Sequence, residues 1–186
     1  MNLIINIGEL APFLVLILVG LLQFRQDSSK NFKLWFMGNF ILAFLALFIA
    51  SKTNLLYNSF DFNDLFRIHF LEIPLIFIFS WLNLVLAVII FCKSIKFKSE
   101  KNRNIYTNSL LFLISILAII ALDKMRLILV LGLFESPLWL LICLGLSVFG
   151  VYSFDFLKVK TPKSLIMYSS IFQVVALFWL CIFKSI

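Results

Sequence analysis

Six apolar runs, each close to the length needed to cross a bilayer, divide this chain at about 3–24, 33–50, 70–92, 105–122, 137–156 and 164–183. A spanning helix needs roughly 20 mostly apolar residues, and it must satisfy all of its backbone N–H and C=O groups internally. The runs therefore predict an all-α, polytopic integral membrane protein with six transmembrane helices. The polar stretches between them are too short for a water-soluble domain, so residues 1–186 read as a single transmembrane domain. Composition agrees: 63% of residues are hydrophobic and 13% charged, with a mean hydropathy of +1.09, against about half apolar and a quarter charged in a soluble domain. One more apolar stretch, "RLILVLGLF" at 126–134, is too short to span and lies between Asp123 and Glu135. It reads as an interfacial or re-entrant segment. If helix five begins near Leu127 instead, Glu135 moves into the membrane.

The first run lacks the basic flank and small-residue cleavage site of a secretory signal, so it reads as a retained helix. The net charge of +7 does not point to nucleic acid, because the cations sit in short clusters between apolar runs instead of on one solvated face. Their placement sets orientation. Arg25, Lys30 and Lys33 fall in the first loop, Lys93, Lys96, Lys98, Lys101 and Arg103 in the third, and Lys158, Lys160 and Lys163 in the fifth. These eleven compare with five on the other side: Lys52, Arg67, Lys124, Arg126 and Lys184. Lys and Arg accumulate on the cytoplasmic side of short loops, so the three basic loops are predicted inside and both termini outside. A bacterial cytoplasmic membrane fits the Lys, Ile, Phe and Asn usage.

Glu9 begins "ELAP", Glu72 begins "EIP" and Glu135 begins "ESP", at offsets of 63 and 63 residues. Three of the four glutamates and three of the four prolines take part. The period predicts three tandem helical hairpins, each opened by an acid–proline mark, turned at a basic loop and closed near Lys52, Lys124 or Lys184. Proline suits a first helical turn, and an acid there meets the positive end of the helix dipole, which accounts for Glu72 and Glu135 architecturally. Glu9 fits less well. A helix starting at Pro12 is too short before Arg25, so Glu9 should lie one or two turns inside, where an ionisable group normally faces a cavity or partner.

Glu9, Glu72 and Glu135 are thus candidates for an outward-facing polar pocket. His69, three residues before Glu72, shares its face if the helix extends that far; the pair would suit pH sensing, although an interfacial histidine without a role is the simpler reading. Asn39, Asn83 and Gln173 are the bulkiest polar groups deep in the runs and would line any ligand site or pore, while the smaller ones serve as interhelical hydrogen bonds. Trp35, Trp139 and Trp179 read as interfacial belt residues. Trp81 lies deeper, to pack or to stack on a ligand. Cys92, Cys143 and Cys181 form no CxxC pair, and no metal site or cofactor is expected.

"LWFMGNFILAFLALFIASK" at 34–52, following "FRQDSSKNFK", resembles the multi-helix membrane sensor regions of bacterial diguanylate cyclases and histidine kinases. There a basic loop precedes a W-x-x-G-N-like helix, matched by Trp35, Gly38 and Asn39. The likeness extends over about residues 1–120 and implies sensing or ligand reception, although no effector domain follows in this sequence. The expected function is a receptor-like or accessory membrane component that binds a ligand or partner from the outer side. Its expected partners are the bilayer, another membrane protein, or a cytoplasmic effector docked on the basic loops. The alternative is a small transporter or substrate-binding subunit similar to the S components of energy-coupling-factor transporters, which place both termini inside. A lipid-modifying enzyme, which would need a carboxylate cluster facing a lipid-accessible groove, is less expected; there is no GxSG serine of a rhomboid-like protease, and one histidine is too few for an alkaline-ceramidase-like hydrolase.

Overall fold

The computed structural model describes residues 29–52, 56–57, 69–71, 73–124, 129–130 and 138–160, with Leu14 and Leu18 as isolated helical positions. Its architecture is all-α. The helices are α1 (Ser29–Lys52), α2 (Leu75–Ser94), α3 (Glu100–Lys124) and α4 (Leu138–Phe156). They match the runs predicted at 33–50, 70–92, 105–122 and 137–156, with shifted ends. The runs at 3–24 and 164–183 lie outside the described residues, apart from Leu14 and Leu18. Lys30–Ile49 in α1 and Phe77–Ser94 in α2 are long and apolar enough to cross a membrane, and Leu140–Phe156 in α4 is a shorter apolar helix.

Local chemistry sets the ends. Ser99 precedes α3 and accepts the Asn102 N–H on Oγ at 3.2 Å, satisfying one of the donors a helix start leaves unpaired. That cap carries α3 five residues upstream of the predicted start. At the start of α2 the sequence turns instead: β2 (His69–Phe70) pairs antiparallel with β3 (Ile73–Pro74), and Leu71 between them adopts φ 48°. Pro74 is followed directly by the helix, so α2 does not extend back to His69. His69 therefore lies in β2, outside α2, and Glu72 lies outside the described residues. Leu75 and Leu138, which open α2 and α4, stand 63 residues apart, the spacing of Glu72 and Glu135. The predicted interfacial stretch 126–134 contains β4 (Leu129–Val130), a two-residue strand paired antiparallel with β1 (Leu56–Tyr57).

α2 is the centre of the bundle. Ile78, Leu82, Val85, Leu86, Ile89 and Cys92 are buried along it, joined by Phe32, Trp35 and Ala43 of α1, Leu111 of α3, and Val151 and Phe154 of α4. A chain of rings, Phe36–Phe40–Phe79, fastens α1 to α2. The helices alternate in direction, and the contacts Trp35–Phe154, Lys93–Asp155 and Arg103–Asp155 bring the start of α1, the end of α2, the start of α3 and the end of α4 together. Three basic segments thereby gather at one end of the bundle, around Lys30 and Lys33, 93–103, and Lys158 and Lys160.

Beside this apolar core, the outward faces of the helices are apolar as well, and several polar side chains lie inside. On α1 the buried stripe is Phe32, Trp35, Asn39 and Ala43, while Leu34, Met37, Ile41, Leu45 and Ile49 are exposed. On α3 the buried stripe is Asn104, Thr107, Leu111 and Ser115, and Ile105, Tyr106, Leu113 and Leu117 face out. α4 repeats the pattern, with Ser147 wholly buried and Leu141, Leu144, Val148 and Tyr152 exposed. Large continuous apolar surfaces are rare on soluble monomers.

Candidate functional site at the basic end of the bundle

The polar interior has two tiers. In the first, the Trp35 indole N–H donates to the Gly150 carbonyl at 3.0 Å, tying α1 to α4. Asn39, one turn further along α1, donates from Nδ2 to the Trp35 carbonyl at 2.8 Å and to Ser153 Oγ at 3.3 Å. The close approach requires glycine at position 150: a Cβ there would lie 2.9 Å from a Val85 methyl and 3.3 Å from Asn39 Oδ1. Trp35 is wholly buried, which corrects the reading of this residue as an interfacial belt tryptophan. Its position four residues before Asn39 already places the two on one helical face, and that spacing was the overlooked signal.

The second tier is charged. Asp155, in the last turn of α4, accepts from Lys93 Nζ and from Arg103 Nη2, both at 2.8 Å, and Arg103 also reaches Glu100 at 2.7 Å. The side chains of Asp155 and Arg103 are only 18% and 21% exposed, against 72% for Glu100, so the interhelical pair is the sheltered one. An acid near a helix C-terminus meets the negative end of the dipole; the two cations offset this, and Lys93 also sits 4.4 Å from the centre of the Phe154 ring. Burial pulls the Arg103 pKa down, but hydrogen bonds to Glu100 and Asp155 and their negative charges outweigh it and the net direction is upward. In the sequence, Lys93 and Arg103 stand out only as loop charge. Their partner is Asp155, an acid at the end of an apolar run on the basic side.

α4 is held at this end by its C-terminal turn. The Val159 N–H donates to the Phe154 carbonyl at 3.2 Å and the Lys158 N–H to the Asp155 carbonyl at 3.0 Å, with Lys158 at φ 49°. These are the paired bonds of a Schellman cap, and the buried Val159 supplies its apolar contact. Beside the charge cluster, the turn 95–99 between α2 and α3 encloses an open concavity of about 600 Å³, lined by Lys93, Lys96, Lys98, Arg103 and Glu100 together with Ile95, Phe97 and Ser99.

Of the sequence candidates, Asn39 and Asn83 are buried, and Asn83 donates to the Phe79 carbonyl four residues back at 3.0 Å. Trp81 is half-buried, and its indole N–H, with Ser80 Oγ and Asn108 Oδ1, is enclosed without a hydrogen-bond partner. Ser94, Ser115 and Ser147, by contrast, bond the carbonyl four residues back. His69 lies in β2, at the far end of α2 from the charge cluster. Glu9, Glu72, Glu135 and Gln173 lie outside the described residues, as does the predicted outer pocket built on the three glutamates. Among the described residues no group of three His, Cys, Asp or Glu side chains could hold a metal ion. No protein-family model, curated protein or solved structure matches the chain.

Proposed function

We propose that this chain is a six-helix membrane protein of three tandem hairpins that serves as a receptor-like or accessory component, acting through a ligand or membrane partner rather than by catalysis. The carrying observation is the apolar outer face of α1, α3 and α4: leucines, isoleucines and Met37 are exposed, while Asn39, Asn104, Thr107, Ser115 and Ser147 are buried among the core residues. Lipid is the solvent that favours this arrangement, because helix association there relies on packing and interhelical hydrogen bonds. The gathering of the basic segments at one end supports a cytoplasmic position for that end. The opposite end of the bundle is then the outer, ligand-facing side. The described polar groups serve chiefly as helix fasteners, which favours a component that positions partners.

Affinity purification of the full chain from membranes in mild detergent tests this reading. One membrane protein recovered in stoichiometric amount supports it, and recovery of this chain alone contradicts it. A second reading, a substrate-binding transport subunit, is favoured by the unpartnered Trp81 N–H and Ser80 hydroxyl, since enclosed polar atoms ordinarily have partners. Terminal reporter tags separate the two: both ends outside the cytoplasm support the first, both inside the second.

A further inference from the structure

The concavity at the 95–99 turn brings four cations, Lys93, Lys96, Lys98 and Arg103, against the single carboxylate Glu100. Asp155 fixes two of them in place, at 2.8 Å from Lys93 and from Arg103, whereas Lys96 and Lys98 are exposed. The basic surface begins where Phe77–Ser94, an apolar helix long enough to span, ends. Phe91 and Ile95 are exposed at the same end, and Phe97 of the turn packs on the half-exposed Tyr106 at 5.4 Å. A ligand matching this surface is anionic over the turn and apolar beside the helices. A free anion would leave the apolar rim unused. We propose that the concavity binds the phosphate headgroup of an anionic phospholipid, with Lys96 and Lys98 as the contacting cations and the Lys93–Asp155–Arg103 cluster as their rigid floor. This rests on the membrane reading above. Basic pockets between helices at headgroup depth are suited to such lipids, and each lysine near an anionic surface contributes about fivefold in affinity.

The test reconstitutes the full chain with equal phosphatidylglycerol and phosphatidylcholine, repurifies it in mild detergent and quantifies the retained lipids, with alkaline carbonate extraction of native membranes alongside. The wild type is expected to retain phosphatidylglycerol selectively. K96Q/K98Q should lower that preference by about thirtyfold, while K96R/K98R preserves it. A carbonate-resistant chain with no lipid preference, or with a preference untouched by K96Q/K98Q, overturns the lipid site alone. Carbonate release of the wild type overturns the membrane reading and the site together. Displacement of the lipid by inorganic phosphate would reveal a free-anion site, and loss of a co-purifying protein instead of lipid in K96Q/K98Q would reveal a protein dock; either overturns the proposal.

Discussion

The two polar tiers of the bundle solve different problems with different chemistry. Between α1 and α4, well inside the helices, the fasteners are neutral: an indole N–H on a carbonyl, an amide on a hydroxyl, and a glycine that lets the backbones approach. At the helix ends the fasteners are ions, with Asp155 drawing Lys93 and Arg103 to one point. The division follows the cost of charge. A buried ion pair recovers its desolvation only with good geometry and added hydrogen bonds, and at bilayer depth the cost of an unpaired charge is several kcal/mol. At a partly exposed helix end water shares the burden. On the membrane reading proposed above, the change from neutral to ionic fastening along α4, from Gly150 to Asp155, marks the transition from hydrocarbon to interface.

The largest expected effect breaks the neutral tier by crowding it. Gly150→Val places side-chain atoms where even a Cβ meets Val85 at 2.9 Å, and overpacking of this kind costs about 3 kcal/mol. The thermal midpoint in nanodiscs should fall sharply. Gly145→Ala, with nothing within 4 Å of its Cβ, is the matched control and should leave the midpoint unchanged or raise it slightly. If both variants behave alike, the close approach of α4 to α2 and α1 is wrong.

Next in size is the ionic tier. Asp155→Asn leaves Lys93 and Arg103, 31% and 21% exposed, without their shared carboxylate, and should cost about 2 kcal/mol. Combining it with Arg103→Gln should cost less than the sum of the two single changes, because the removed pair is one interaction. Strict additivity in a double-mutant cycle would mean that the pair is not coupled. Smaller again, Trp35→Phe keeps the ring and removes the donor to Gly150; a loss of about 1 kcal/mol is expected, and no change would return Trp35 to the role of a packing ring.

The smallest effect separates packing from binding. Asn83 uses its amide on the carbonyl of its own helix at Phe79, so Asn83→Leu should change stability by less than about 0.5 kcal/mol. A full loss of partner recovery in this variant, with stability intact, would place Asn83 in a ligand site.

Much of the bundle was legible as apolar run length, since a run long enough to span has few alternatives to a helix. The ends were less so. The apolar run predicts a helix reaching back to residue 70, yet Pro74 lies in a short strand and the helix begins at Leu75. Proline disfavours helical geometry in the residue before it, and that outweighed the apolar pattern. Asn39 and Asn83 are buried, each with its amide on a carbonyl of its own helix, which offsets the cost of enclosing a polar group. The Lys93–Asp155–Arg103 cluster was not legible, since its carboxylate comes from 52 residues beyond Arg103 and which of five cations it selects depends on how the helix ends meet.

Thiol accessibility tests the apolar outer face most directly. In a background without native cysteines, single cysteines are placed at Lys101, an exposed residue of the first turn of α3, and at Ile41, 51% exposed on the outer face of α1. A membrane-impermeant thiol reagent should label K101C in inside-out vesicles and not in intact cells, and should leave I41C unlabelled from both sides, because lipid covers it. Labelling of I41C as fast as K101C would mean that water bathes the apolar stripe, and would contradict the membrane-embedded bundle.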